Sequence, residues 1–152
     1  MRSFTLLMFT LVLLSGCTGM KELQSHRQAL KELATSSLAP EAKFDALAII
    51  VADVLDEAAA RPKPYQAFRH LDKFGRQNES SLQALSQELQ TWLNEMGPVE
   101  KLSLAARTLS KPYSRKLIQT VPKITRMAQE EGYTLGPLEQ ALVLYRLRGI
   151  LD

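Results

Sequence analysis

Apolar residues recur at helical spacing along most of the chain after residue 20, and no segment shows the longer polar–apolar alternation typical of a β-strand. The strongest pattern covers residues 41–60. Its stripe on one side of a helix consists of Phe44, Leu47, Val51, Val54, Leu55 and Ala58. Ile50 widens this stripe, so we expect this helix to lie at the centre of the core.

Weaker stripes predict further amphipathic helices on both sides of this segment, at residues 20–34, 65–74, 79–96, 99–110, 113–131 and 138–150. Proline and glycine separate them, as helix starts and stops do. Gly75 is expected to stop one helix, Asn78 to cap the next, and Pro122 to kink or split the helix at 113–131. The stripe of the helix at 99–110 consists of Val99, Leu102, Ala105, Ala106 and Leu109. The pattern therefore predicts an all-α fold, a small bundle of about six amphipathic helices.

The first sixteen residues do not fit this bundle. Arg2 and the amino terminus are positively charged, and residues 4–14 are apolar except for Thr5 and Thr10. A helix needs about 20 apolar residues to span a bilayer, so this run is too short. A short positive segment followed by a short apolar one is typical of a secretory signal.

The end of this segment, Leu14-Ser15-Gly16-Cys17, resembles the lipobox of bacterial lipoproteins. The resemblance implies cleavage between Gly16 and Cys17, diacylation of the Cys17 thiol and acylation of the new amino terminus. It divides the chain into a signal peptide at 1–16, a lipidated cysteine with a very short tether at 17–19, and a single helical domain at 20–152. A buried N-terminal helix that contains a cysteine by chance is the alternative; charge, apolar length and all four lipobox positions favour the signal.

The residue after the cysteine bears on location. Thr18 stands where an aspartate would favour retention in the inner membrane of enteric-type bacteria. The resemblance therefore favours the periplasmic face of the outer membrane over the inner membrane. In a Gram-positive source it implies the cell surface instead.

The sequence offers no catalytic set, no metal site and no cofactor motif. Cys17 is the only cysteine, and the lipobox interpretation uses its thiol, so we expect no disulfide framework, thiolate metal site or cysteine nucleophile. His26 and His70 lie on different predicted helices and outside any metal-ligand spacing. Asp53 and Asp56 are one helical turn apart and could share a cation, but acidic pairs on an exposed helix face are usually solvated.

Basic residues concentrate in one part of the chain, because residues 101–126 contain seven lysines and arginines and no acidic residue. The candidate face for an anionic partner consists of Lys111, Arg115, Lys116, Lys123 and Arg126. A solvated basic face is the alternative. Because an exported chain seldom meets nucleic acid, we set that partner aside; an anionic lipid surface or an acidic envelope protein remains.

These observations favour a lipid-anchored cell-envelope protein that acts without catalysis, as an adaptor or assembly factor. Its expected partners are the membrane, through the lipid anchor, and an envelope protein or an anionic lipid surface. A helical binder of a lipid or another small hydrophobic ligand is the second hypothesis. An envelope hydrolase is the third, and the missing catalytic set counts against it.

Overall fold

The computed structural model describes residues 22–132, and within this range the chain forms α-helices and no β-strand. The helices are α1 (22–35), α2 (Pro40–Ala59), α3 (Pro64–Gln77), α4 (Glu79–Glu95), α5 (Pro98–Leu109) and α6 (Pro112–Glu130). The prediction of an all-α bundle is confirmed. The signal segment, Cys17 and the predicted helix at 138–150 lie outside the described residues.

Proline sets where most of these helices begin. Pro40, Pro64, Pro98 and Pro112 each occupy the first turn of a helix. The fixed φ of proline suits that position. Because the first N–H groups of a helix have no partner within it, the missing N–H of proline costs no hydrogen bond there. The connections between helices are at most four residues long.

Helix α2 lies at the centre of the bundle, as its apolar stripe predicts. It packs against α3, α4 and α6. Two apolar clusters flank it. Val54 belongs to the first, which also contains Leu23, Leu30, Leu33, Phe74 and Leu85. The second joins α2 to α3 and α6 and consists of Leu55, Ala58, Ala67 and Ile124.

The bundle has two distinct ends. Near the start of α1, His26 contacts Glu57 in the last turn of α2, and the short connection at 36–39 returns the chain to the start of α2. Helix α1 is therefore antiparallel to α2. We call the end with the start of α1 and the last turn of α2 the entry end, and the end with the first turn of α2 the far end.

Helix α6 runs in the same direction as α2. Tyr113, at the start of α6, contacts Asp45 near the far end. Lys116 contacts Asp53 and Asp56 further along, and Ile124 packs in the cluster that contains Ala58 near the entry end. Helix α4 has its last turns at the far end, because Glu88 contacts Lys43 in α2.

Two expected helix breaks are absent, and one capping residue has another role. Helix α3 continues through Gly75 to Gln77. Asn78 precedes α4, but its side chain makes no hydrogen bond to that helix; its Nδ2 donates to the carbonyl of Phe74 at 2.8 Å and so closes α3. Pro122 does not split α6, which continues to Glu130. Pro122 is exposed.

Gly132 follows the end of α6 and has a φ of 66°. Glycine adopts this left-handed conformation without steric cost, which is why it commonly follows the last helical residue. Among the helices within 22–132, none is both long enough and apolar enough to cross a membrane.

Candidate interaction surfaces

A polar seam joins α2 to the first half of α6. Asp45 accepts hydrogen bonds from Lys111 Nζ at 2.9 Å and from Tyr113 Oη at 2.7 Å. Tyr113 is buried, so its hydroxyl needs a partner inside the protein. Asp45 provides that partner and fixes the start of α6 beside the far end of α2.

The seam changes the proton affinity of its members. Burial raises the pKa of Tyr113 to about 12, and the hydrogen bond to Asp45 adds to this effect. Burial acts on Asp45 in the same direction, but the hydrogen bonds from Lys111 and Tyr113 outweigh it and hold the pKa of Asp45 below its usual value. The contact is therefore most stable with a neutral tyrosine and an ionised aspartate.

Two further cations of the basic segment bind carboxylates of α2. Lys116 Nζ lies 2.7 Å from Asp53 Oδ1 and 3.6 Å from Asp56 Oδ2, and the hydrogen bond to Asp53 raises the pKa of Lys116. Arg107 of α5 lies 3.0 Å from Glu41. The charges of Lys111 and Lys116, both expected to face an anionic partner, are thus compensated within the bundle.

The remaining cations of the predicted face stay exposed. Arg115, Lys123 and Arg126 make no ion pair with any residue of the described range. We call these three residues the basic stripe of α6. They lie on the side of α6 opposite Ile124 and Ala128, which are both buried; Ile124 packs against α2 and α3. Beside them lie Ile118, which is 47 % exposed, and Pro122.

Helix α5 presents its apolar side to solvent. The residue it buries is Leu104, which is 6 % exposed, whereas Val99 is 78 % and Leu102 72 % exposed. Leu104 lies almost opposite the predicted stripe around the helix, since successive residues are about 100° apart. We call the exposed side the outer face of α5; it consists of Val99, Leu102, Ala105, Ala106 and Leu109. An amphipathic helix normally turns such a stripe toward the core.

The two histidines converge on one carboxylate, which their sequence spacing does not indicate. His26 Nε2 lies 2.7 Å from Glu57 Oε1, and His70 Nε2 lies 3.0 Å from Glu57 Oε2. Arg61 Nη2 lies 3.3 Å from the other ring nitrogen of His70. Because a guanidinium can only donate, His70 Nδ1 accepts this bond and Nε2 donates to Glu57.

This cluster ties three helices together at the entry end. His26 belongs to α1, Glu57 to α2 and His70 to α3. The contacts occupy both oxygens of Glu57. Among residues 22–132, no group of three histidine, cysteine or acidic side chains is placed to hold a metal ion. These contacts therefore hold α1, α2 and α3 together at the entry end of the core.

No protein-family model, curated protein sequence or solved structure matches the chain. The features that bear on function are therefore the chemical properties of its own surfaces. Two of these surfaces are exposed and have no internal role within the described range: the outer face of α5 and the basic stripe of α6.

Proposed function

We propose that this protein is a non-enzymatic adaptor of the cell envelope, anchored to a membrane through a lipid on Cys17, and that it binds a partner protein through the outer face of α5. The observation that carries the proposal is the outward orientation of the apolar side of α5. Large contiguous apolar patches on the surface of a protein mark interaction sites.

The position of α5 favours a protein as its partner. Arg107 binds Glu41 in the first turn of α2, so α5 lies at the far end of the bundle. The chain leaves α1 toward Cys17 at the opposite, entry end. Helix α2 has 20 residues, and at 1.5 Å per residue it separates the two ends by about 30 Å. A lipid at Cys17, in the outer membrane by the lipobox resemblance, would leave α5 pointing away from the bilayer.

The shape and charge of the outer face suit a helix of the partner. Ala105 and Ala106 form a shallow strip between larger side chains, and a ridge of side chains on another helix can pack into such a strip. Lys101 beside it is exposed and makes no ion pair with the described residues. An amphipathic helix whose apolar stripe is bordered by acidic residues would complement both features.

The test is a crosslinked pull-down of the native lipidated protein from its own envelopes, with the partners identified by mass spectrometry. We expect one stoichiometric envelope protein with the wild type and its loss with Leu102→Glu, because a charge would be buried in the interface. Leu102 is exposed, so the substitution should leave the fold intact.

Gln83→Glu is the matched control, since it adds the same charge at an exposed position of α4. This variant should recover the partner as the wild type does. Recovery of the same partner by Leu102→Glu would exclude the outer face of α5 as the binding surface. Failure to recover any stoichiometric partner with the wild type would contradict the adaptor function.

A further inference from the structure

The basic stripe of α6 has no structural task that the described residues reveal. Lys111 and Lys116 of the same segment have carboxylates of α2 at 2.9 and 2.7 Å, but Arg115, Lys123 and Arg126 have none. Salt bridges between α2 and α6 are already made without them. The three charges are therefore available to a ligand outside the bundle.

The second half of this stripe lies near the entry end. Lys123 and Arg126 flank Ile124, which packs in one cluster with Ala58 of α2 and Ala67 of α3. Helix α1 begins beside the same turn of α2, where His26 contacts Glu57. Axes of packed helices are about 8–10 Å apart, so this half of α6 lies no more than about 20 Å to the side of the start of α1.

The tether from Cys17 to α1 is short. Residues 17–21 span at most about 17 Å even when fully extended. If Cys17 carries the lipid anchor of the proposed function, on which this inference rests, the entry end is held within that distance of the bilayer. The domain can then reach the headgroups with the side of α6 by tilting.

We propose that the basic stripe of α6 docks the domain on an anionic bilayer surface. Arg115, Lys123 and Arg126 bind phospholipid phosphates, while Ile118 and Pro122 contact the apolar edge of the headgroup layer. Glu130 and Glu131 follow in the last turn and are exposed. Their repulsion by anionic lipid limits the contact to residues 115–126.

A bilayer fits this stripe better than an acidic protein does. The three cations are spread over twelve residues of one helix, about 16 Å. A layer of anionic headgroups presents charge over the whole of that length. The docking lays the side of α6 along the bilayer, so that the opposite side of the bundle points into the surrounding compartment.

The experiment measures this orientation with the lipidated protein in vesicles. Cys17 is the only cysteine, and acylation consumes its thiol, so an introduced cysteine can be labelled alone. Gln119→Cys places a fluorescent donor within the stripe, and Asn94→Cys places one on α4 at the far end; both positions are exposed. Energy transfer to acceptors on lipid headgroups is compared between pure phosphatidylcholine vesicles and vesicles that also contain phosphatidylglycerol.

We expect phosphatidylglycerol to increase transfer from the Gln119→Cys label and to leave the Asn94→Cys label with low transfer. Each cation near an anionic surface shifts the docking equilibrium by about fivefold, so three shift it by on the order of a hundredfold. The triple variant Arg115→Glu, Lys123→Glu, Arg126→Glu should remove the increase, and so should high salt.

The control variant Lys31→Glu, Arg69→Glu, Lys73→Glu changes the net charge by the same amount at exposed positions on α1 and α3. It should retain the increase; an equal loss would overturn the assignment to α6. Intact mass separates the anchor from the docking. A protein without acyl chains would overturn both the anchor and the docking. An acylated protein whose labels show the same energy transfer with and without phosphatidylglycerol would overturn the docking alone.

Discussion

At the scale of single residues, Asp45 and Glu57 show how one carboxylate can connect helices that are distant in sequence. Asp45 holds Lys111 and Tyr113, and Glu57 holds His26 and His70. Each carboxylate accepts two hydrogen bonds at the edge of an apolar cluster. In a low-dielectric surrounding such bonds are stronger, and losing one partner leaves a buried polar group unsatisfied.

Tyr113 predicts a pH dependence at the alkaline limit. Its pKa is raised to about 12 from an ordinary value of 10, so the folded state holds the proton more tightly than the unfolded chain. This stabilisation is present below pH 10 and is lost as the pH rises through about 12. The free energy of unfolding, measured with urea, should fall more steeply over that window in the wild type than in Tyr113→Phe.

Tyr65→Phe is the control for this measurement, because Tyr65 is exposed and does not bind a carboxylate. It should follow the wild type across the same window. Lys116, whose pKa is also raised, is present in all three proteins and therefore cancels from the comparison. Parallel curves for wild type and Tyr113→Phe would contradict the buried hydrogen bond to Asp45.

Glu57 predicts a coupling between helices. Glu57→Ala removes the acceptor for both histidines and should lower the free energy of unfolding at neutral pH by about 2 kcal/mol, since buried donors lose their partner. Glu57→Gln keeps one acceptor oxygen and should cost less. In a double-mutant cycle of Glu57→Ala with His26→Ala, we expect a coupling energy above roughly 0.5 kcal/mol. Strictly additive effects would show that the contact is not formed.

Some of these contacts can be anticipated from the sequence and others cannot, for a physical reason. Lys111 and Arg115 are alike in type and lie in the same basic segment, yet only Lys111 meets a carboxylate within the described residues. The difference arises from a contact across 66 residues of sequence. Likewise, the separation of His26, Glu57 and His70 has no local signature. Such clusters become visible only when the packing of the helices is known.

At the scale of elements, α2 and α5 differ in what decides their orientation. The stripe of α2 is broad and has neighbours on several sides, so its prediction as the central helix is confirmed. The stripe of α5 has the correct period, but the helix is held by Leu104, by Arg107 with Glu41 and by short connections. The periodicity shows which side of a helix is apolar, but it does not show whether another helix packs against that side.

Leu104 should therefore control α5 alone. Leu104→Ala removes the buried contact of the helix and should expose the amides of α5 to hydrogen exchange, while amides of α2 keep their protection. We expect a local cost of about 2 kcal/mol, at the lower end for buried leucines. Mass spectrometry of exchanged peptides measures both helices in the same sample.

Leu102→Ala is the matched control, as it deletes the same atoms from an exposed side chain of the same helix. Its exchange should equal that of the wild type, since surface substitutions rarely change stability by more than about 0.5 kcal/mol. Equal effects of the two variants, or loss of protection in α2 with Leu104→Ala, would contradict the view of α5 as a separately held element.

At the scale of the whole molecule, the proposed surfaces are arranged along one axis. The start of α1 and the second half of α6 lie at the entry end, and α5 lies at the far end. The anchor and the second half of the basic stripe would thus lie at one end of the bundle, and the surface for a partner at the other. The sequence alone predicts the anchor, whose signal is local, but not this arrangement, which depends on how α1 and α6 pack on α2.

The antiparallel packing of α1 on α2 also has a mechanical consequence. If the lipid holds the chain before α1 and a partner pulls on α5, tension acts between opposite ends of the bundle, parallel to the helix axes. Helices loaded in this direction must slide past each other, so Leu23, Leu30, Leu33 and the contact of His26 with Glu57 resist together rather than one after another. The same domain pulled sideways would open at one edge first. Under the proposed anchoring and partner binding, this arrangement would let the fold transmit force away from the membrane.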